Sequence, residues 1–267
     1  MPRALRALIP ILLITSPATA GKIVVDNDEW TLSNRGFFDP INDPGIFANN
    51  VADWFTGGGT GVFHAYSTNF GLTEPRLALA LTGGGHVFTA HPTVPYTFDL
   101  PTLQTFDGIF LAGAAPAHPG YIQILVDYVE SGGNVYLAAG TGVGGPVAEA
   151  ARWNPFLNHF GLGLTFPYNG VQGDVFIAST HPIFENVDHL YQNNGSSVLD
   201  LHPLDPSNQV LVSASGLGLY SIYAPVSPPP EVAEPPTALL LGIGLAVLAF
   251  CWVGPRRFTG RLRRPVP

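Results

Sequence analysis

Short apolar runs alternate with amphipathic segments through the middle of the chain. Gly108–Ala112 (GIFLA) and Asn134–Ala138 (NVYLA) lack polar alternation, which is typical of strands buried on both faces of a parallel sheet. The segment between them carries apolar residues at i, i+3, i+4 and i+7 from Ile122, which predicts one buried helix face. Gly132 and Gly133 follow and provide the left-handed stop of a helix. The pattern therefore predicts a strand–helix–strand unit with a right-handed crossover.

The same pattern predicts further elements on both sides of this unit. On the amino-terminal side they are strand Lys22–Asp26, a helix that opens at Pro44 and ends before Gly57, strand Gly61–Tyr66, helix Glu74–Leu81 and strand His86–Thr89. On the carboxyl-terminal side they are a helix over Val147–Phe160 that breaks at Pro155, and strands Val175–Ala178, Ser197–Leu199, Gln209–Ser213 and Gly218–Tyr223. The alternation predicts an α/β fold over residues 21–223, with a doubly wound, mostly parallel sheet and an irregular β-rich C-terminal part.

The first twenty residues have the pattern of a secretory signal peptide. Two arginines precede a short apolar run over Ala7–Ile14, and Ala18-Thr19-Ala20 forms a small-residue cleavage site. A core strand or a membrane anchor is the alternative, but the run is short for a span and its flanks fit cleavage. We therefore expect signal peptidase to cut between Ala20 and Gly21, and the rest of the chain to be exported.

The C-terminal part is first rich in proline, then apolar, then basic. Residues 224–236 hold six prolines, which predicts an extended, semi-rigid linker. Ala238–Val253 runs for sixteen residues without a charge, and five arginines follow it. The run is short against the roughly 20 residues of a typical span, so a core helix is the alternative. Its place between linker and arginines favours a membrane helix and cytoplasmic tail over residues 237–267, with the domain facing outward.

This tail resembles the PEP-CTERM sorting domain. The resemblance rests on Val232-Ala233-Glu234-Pro235-Pro236-Thr237, on the apolar run and on the arginine cluster, and Ala233 stands where the family usually has proline. Family members are exported bacterial proteins whose tail is recognised by an exosortase, a membrane cysteine protease. The resemblance therefore implies processing near Glu234 and Pro235. It also implies a location in the cytoplasmic membrane, at the cell surface or in the medium.

Charge limits the kinds of partner that the exported part can bind, and cysteine content limits its chemistry. Its nineteen acidic residues face only four basic ones, a formal charge of −15 with neutral histidines. Such a surface disfavours nucleic acid and anionic membranes. The lone cysteine, Cys251, lies in the apolar run near the C-terminus. The exported domain consequently has neither a disulfide nor a thiol nucleophile.

The order of predicted elements, with Gly140-Thr141-Gly142-Val143-Gly144 after the fifth strand, is similar to that of class I glutamine amidotransferase-like domains, which have a flavodoxin-like fold. His181-Pro182-Ile183-Phe184 also recurs in relatives of that group, and the resemblance covers Lys22–Tyr223. In the amidotransferases the glycine loop reads Gly-Ile-Cys-x-Gly, and here Gly142 stands at the position of the nucleophilic cysteine. No histidine of this chain is followed two residues later by glutamate, the pair that the chemistry also needs. The resemblance therefore implies a domain without the covalent chemistry of that family.

Acidic residues follow the first predicted strand, at the sheet edge where ligands of α/β domains bind. Asp26, Asp28 and Glu29 are the candidate ligand-binding residues there. Their oxygens suit Ca²⁺ or Mg²⁺, although their spacing is not that of a calcium loop. Solvated or helix-capping carboxylates are the alternative interpretation. We expect no cofactor except, at these three residues, a divalent cation.

Gly140, Thr141, Gly142 and His181 are the other candidate binding residues. Gly140, Gly142 and Gly145 also match a dinucleotide-binding loop, but the turn comes late in the chain and no acidic residue stands about twenty positions on. A tight turn that requires glycine is the alternative. Thr141 needs a positioned base for catalysis, and nothing in the sequence places a histidine beside it.

Two functions of different classes fit these features. The first is an exported envelope or extracellular-matrix protein whose non-catalytic domain is structural or binds a partner such as extracellular polysaccharide. The alternative is an exported hydrolase that acts on a sugar or ester through Asp, His and Thr residues at the C-terminal edge of the sheet. Aromatic residues that suit a carbohydrate groove are more often part of the core in such a domain; they are Trp30, Tyr66, Tyr96, Tyr168 and Tyr191.

Overall fold

The computed structural model describes residues 20–140, 142 and 144–226. These residues belong to one compact unit, which ends at Val226. The predicted signal peptide, most of the proline-rich linker and the apolar, arginine-rich tail lie outside the described residues, and so does Thr141. Within the described ranges no helix is both long and apolar enough to cross a membrane.

Strands and helices alternate through the first two thirds of the described chain. The strands in the described residues are β1 (Ile23–Asp26), β2 (Val62–Ala65), β3 (Val87–Ala90), β4 (Gly108–Ala112), β5 (Asn134–Ala138), β6 (Leu162–Leu164), β7 (Gln172–Phe176), β8 (His189–Asn193), β9 (Val198–Asp200), β10 (Asn208–Ala214) and β11 (Leu217–Tyr223). The helices there are α1 (Pro44–Thr56), α2 (Phe70–Thr73), α3 (Pro75–Gly83), α4 (Leu100–Leu103), α5 (Tyr121–Glu130) and α6 (Gly145–Leu157), with 3-10 turns at Asn158–Phe160 and Pro182–Phe184.

One mixed sheet runs through the described residues. Its strand order is β3-β2-β4-β5-β1-β11-β9-β6, and β10 pairs with β11. The strands β3, β2, β4, β5 and β1 are parallel, whereas the other pairs are antiparallel. The strands β7 and β8 form a separate antiparallel hairpin. The predicted fold class is confirmed: an α/β, doubly wound, mostly parallel sheet with a β-rich C-terminal part, consistent with a flavodoxin-like fold.

Helices cover both faces of the parallel half of the sheet. On one face α1 and α3 bury Phe47 and Leu77, and on the other face α5 and α6 bury Leu125 and Trp153. Successive residues of β1 alternate between these two cores, as they must in a pleated strand. Burying one large apolar side chain contributes about 1.5–3 kcal/mol relative to exposure, so the two layers stabilise the sheet that carries the loops described below.

The expected break of the helix at Pro155 is wrong. The helix α6 continues through Pro155 to Leu157 and then tightens into the 3-10 turn Asn158–Phe160. Proline removes the bond from its own nitrogen to the carbonyl four residues earlier and crowds that carbonyl. Because Pro155 lies in the last turn, only one hydrogen bond near the end of α6 is lost, and the preceding turns of the helix remain intact.

Two strands were missed by the apolar pattern. The strand β6 has only three residues, and β8 (HLYQN) is mostly polar. The inward-facing residues of β8, Leu190 and Gln192, are fully buried while their neighbours are half-buried. Alternation of apolar and polar residues is the pattern that predicts a half-buried strand. In β8 a glutamine occupies one of the inner positions, so hydrophobicity did not identify this partner of β7.

Candidate functional site

The carboxyl ends of β1 and β5 lie side by side. The two strands are parallel neighbours, and Asp26 is in register with Ala138. The chain leaves β1 toward α1 on one face of the sheet and leaves β5 toward α6 on the other. Loops that part in this way open a crevice at the carboxyl edge of a sheet. The structure thus brings the acidic residues after β1 next to the glycine turn after β5.

Asp26 is wholly buried at this edge. Its Oδ2 atom accepts a hydrogen bond from the Tyr136 hydroxyl at 2.8 Å, and its Oδ1 atom accepts one from the Asp28 amide at 3.0 Å. Burial raises the pKa of Asp26 well above its usual range, and the charge of Asp28 raises it further. Removal from water disfavours the charged form of a carboxyl group, so Asp26 binds its proton more tightly here than in an unfolded chain.

Asp28 connects two parts of the chain, the loop after β1 and the end of β8. Its Oδ1 atom accepts the Trp30 amide at 2.8 Å, and its Oδ2 atom accepts the amide of Asn193 at the end of β8. Burial raises the pKa of Asp28 to about 7 against the pull of these hydrogen bonds, and the charge of Glu149 contributes to the rise. The carboxyl group of Asp28 therefore acts as an acceptor that fixes the β1 loop to the hairpin.

Glu149 is a member of this site that the sequence analysis missed. It lies on α6, is wholly buried, and accepts the Gly140 amide with its Oε2 atom. Its Oε1 atom has no hydrogen-bond partner among the described residues. The sequence did contain one indication of this role: Glu149 lies four residues before the buried Trp153, on the apolar face of the helix. A carboxylate at a core-facing helix position is expensive unless it has a partner, so such a residue marks a site.

The turn between β5 and α6 needs glycine at positions 140 and 142, because the surrounding atoms leave no room for a side chain there. A Cβ atom on Gly142 would collide with both carboxylate oxygens of Glu29 and would come within 2.6 Å of Glu149 Oε1. The two carboxyl groups therefore meet at this glycine. The expected sharp turn from strand to helix is observed, and the Gly145 amide closes it on the Gly142 carbonyl at 3.0 Å.

We call Asp26, Asp28, Glu29 and Glu149 the acidic cluster. All four are buried, with at most 2% of each residue exposed. The segment that precedes β9 covers them: a Cβ atom on Gly140 would lie 2.5 Å from both the Asn27 carbonyl oxygen and the Ser196 amide nitrogen. The crevice between β1 and β5 is therefore filled by the chain itself.

A second polar network, also missed from the sequence, supports the cluster from the side of β11. The Gln192 amide donates to the Tyr220 hydroxyl at 2.6 Å and to Thr31 Oγ1 at 3.2 Å. All three residues are wholly buried. Burial raises the pKa of Tyr220 well above its usual range, with the charge of Asp26 as the next cause. Buried networks of this kind specify one arrangement because each group needs its partner.

His181 lies at the other edge of the sheet. Its ring packs edge-on against Trp54 at 5.3 Å between centroids, and its Nδ1 atom accepts the Ile183 amide at 3.4 Å. Burial lowers the pKa of His181, and the nearby charge of Lys22 lowers it further. Lys22 precedes β1 whereas Asp26 ends it, so His181 and Asp26 are at opposite ends of that strand. The structure does not bring this histidine to the acidic cluster.

The described part of the site contains no group of three or more His, Cys, Asp and Glu side chains that could hold a metal ion. The carboxylates of Asp26, Asp28 and Glu149 accept hydrogen bonds from the protein instead. Position 142 carries no nucleophilic atom. The chemistry that the arrangement supports is thus proton binding by buried carboxyl groups and fixation of three loops.

Comparison with known proteins finds no matching family model, no matching curated protein and no matching solved structure.

Proposed function

We propose that this chain is an exported envelope or extracellular-matrix protein whose amidotransferase-like domain is non-catalytic and serves as a binding or structural module. The observation that carries the proposal is the crowding at Gly142. Where an amidotransferase has its nucleophile, this chain has a glycine whose side-chain space is taken by Glu29 and Glu149. Covalent catalysis needs an accessible nucleophile with a positioned base, and burial of the acidic cluster excludes a substrate from this point.

The glycine turn itself illustrates why binding is favoured over chemistry. In an oxyanion hole, backbone amides at such a turn point at the developing negative charge of the substrate. Here the Gly140 amide donates to the carboxylate of Glu149. The Gly140 amide is thus already paired with a side chain of the same protein and is not available to a substrate oxyanion. The proposal requires no cofactor.

We expect the purified full-length protein to release no ammonia from glutamine and to hydrolyse neither p-nitrophenyl acetate nor p-nitrophenyl glycosides above a no-protein control. Gly142→Cys is expected to remain inactive, because the new Cβ would displace two buried carboxyl groups and no His-x-Glu pair accompanies it. Turnover by the wild type that disappears in Asp26→Asn would contradict the proposal and support the alternative, a hydrolase at this edge of the sheet.

Export and tail processing form a separate part of the proposal. Arg3, Arg6 and Ala18-Thr19-Ala20 support signal-peptide cleavage, and the linker, apolar run and arginines support recognition by an exosortase-like protease. We expect mature material to begin at Gly21 and, in a host with an exosortase, to end near Glu234 and Pro235. Intact-mass and N-terminal sequencing of envelope and medium fractions test this. A mature protein that retains Met1 would refute signal-peptide cleavage. A tail deletion that leaves envelope retention unchanged would refute a sorting role for the tail.

A further inference from the structure

A cavity of about 290 Å³ lies at the carboxyl edge of the sheet, away from the acidic cluster. We call it the β2–β4 cavity. It is lined by the residues that follow three parallel strands: Tyr66, Ser67 and Thr68 after β2, His91, Tyr96 and Phe98 after β3, and Ala114, Ala115, Pro116 and Ala117 after β4. None of these residues belongs to the crevice between β1 and β5.

The topology of the sheet opens this cavity. The strands β2 and β4 are parallel neighbours. The chain leaves β2 toward α2 and α3, which pack on the face of α1, and it leaves β4 toward α5 on the opposite face. Adjacent strands whose connections part to opposite faces form the crevice in which open α/β sheets bind ligands. The crevice between β1 and β5 is filled by the chain, whereas this one remains open.

Aromatic rings form the apolar wall of the β2–β4 cavity. Tyr66 and Phe98 are buried and meet edge-to-face at 5.1 Å. Tyr96 is 42% exposed, and its ring is held edge-on against His64 at 4.9 Å and Phe106 at 5.1 Å. A large ring that is both held in place and accessible loses little conformational entropy when a ligand packs on it.

Some polar groups of the cavity already make hydrogen bonds within the protein, and others can make them with a ligand. The Tyr66 hydroxyl donates to the Thr97 carbonyl at 3.0 Å, and the Ser67 hydroxyl donates to the Ala112 carbonyl at 3.0 Å. In the described part of the chain, the hydroxyls of Tyr96 and Thr68 and the imidazole of His91 make no hydrogen bond. These three groups are free to donate to, or accept from, the hydroxyls of a ligand.

Charge disfavours an anionic ligand. No Asp, Glu, Lys or Arg is among the residues that line the cavity, and the nearby charge of Asp99, which contributes to the raised pKa of Tyr66, is negative. The formal charge of −15 on the exported part further repels anions. A neutral ligand with an apolar face and a rim of hydroxyls is the class that these walls complement.

We infer that the β2–β4 cavity binds one ring of a neutral saccharide, with Tyr96 as the stacking platform and Thr68 and His91 as hydrogen-bonding partners of the sugar hydroxyls. The cavity volume of about 290 Å³ lies near the lower end of ligand pockets, which are roughly 300–1,000 Å³, and so suits a single ring. This inference rests on the binding role in the proposed function and adds its site and ligand class.

Affinity electrophoresis of the full-length protein in a non-glycosidic detergent tests the inference. The gels contain dextran, mannan, laminarin or galactan as neutral probes, and alginate as the acidic one. We expect at least one neutral polymer to retard the wild type, Tyr96→Ala to weaken that retardation about tenfold, and Tyr96→Phe, which keeps the ring, to retain most of it. Tyr168→Ala is the matched control, because Tyr168 is an exposed tyrosine that does not line the cavity.

The outcomes separate this inference from the proposed function. Retardation that survives Tyr96→Ala in a folded variant, as checked by circular dichroism, overturns the cavity assignment and leaves a binding module in place. Retardation by alginate alone, or by none of the neutral polymers, overturns the neutral-saccharide class. Release of reducing sugar from a retarding polymer would refute the non-catalytic function, but it would not contradict the β2–β4 cavity as the saccharide-binding site.

Discussion

Gly140→Ala is expected to lower the free energy of unfolding by about 3 kcal/mol or more. The backbone of Gly140 has φ +125°, which side chains rarely adopt, and a Cβ atom there would lie 2.5 Å from both the Asn27 carbonyl oxygen and the Ser196 amide nitrogen. Backbone strain of this kind costs roughly 1–3 kcal/mol, and overpacking adds typically 1–3 kcal/mol. Because both obstructing atoms belong to the backbone, a rotamer change cannot relieve the collision.

Gly58→Ala is the matched control for this prediction. Gly58 also has positive φ, +93°, but no atom lies within 4 Å of its Cβ position. Its replacement therefore carries the backbone cost alone, roughly 1–3 kcal/mol, without the cost of the collision. Urea unfolding of the wild type and the two variants measures the difference. Equal losses in both variants would mean that the segment around Ser196 does not pack against the glycine turn.

The contribution of Asp28 to the free energy of unfolding is expected to fall as the pH rises from about 4 to about 7, whereas His64, whose pKa burial lowers to about 4, contributes in the opposite sense. The pKa of Asp28 is about 7 in the folded protein against 3.8 for an unperturbed aspartate, so the folded state holds this proton over that interval while the unfolded state releases it. The stabilisation is complete below the unfolded pKa and is lost as the pH rises through the folded one. At about 1.4 kcal/mol per pKa unit, Asp28 alone accounts for about 4 kcal/mol.

Two variants measure this pH dependence against the wild type. Asp28→Asn removes the titrating group, so the unfolding free energy of the wild type minus that of the variant is expected to fall as the pH rises from about 4 to about 7. Asp205→Asn is the control, because Asp205 is exposed and hydrogen bonds from Ser207 lower its pKa, which gives a dependence of the opposite sign. Parallel profiles for the wild type and Asp28→Asn would show that the proton is not taken up at Asp28.

Much of the architecture was predictable because it is encoded locally. The strands β4 and β5 have the predicted bounds, since each is a short apolar run between turn residues. The helix α1 begins at Pro44 and ends at Gly57 in the left-handed conformation, as proline and glycine favour. The fold class then follows from the alternation of strands and helices. By contrast, the polar strand β8 was missed because its sequence does not show which of its faces is buried; that face is evident only once β8 has paired with β7.

The candidate site was predicted in part. The carboxyl edge of the first and fifth strands could be named from the rule that α/β ligand sites gather there, and the structure does bring Asp26, Asp28 and Glu29 to the glycine turn. Glu149 was not recognised, because its carboxyl group reaches the turn from within an apolar helix face. The β2–β4 cavity was also beyond the sequence, since Tyr66 and Tyr96 are thirty positions apart and meet only when β2 and β3 pair.

The sequence by itself determined that the described domain is a layered α/β unit, that position 142 has no nucleophile, and that its charge is strongly negative. The first follows from the local alternation of strand and helix patterns, and the other two follow from residue identity and composition. Only the tertiary structure decided that the acidic cluster is sealed, that His181 lies at the far end of β1, and that the open crevice is the one beside β2. The physical reason is that strand order, set by packing between distant segments, decides which loops share an edge and which of them the chain covers.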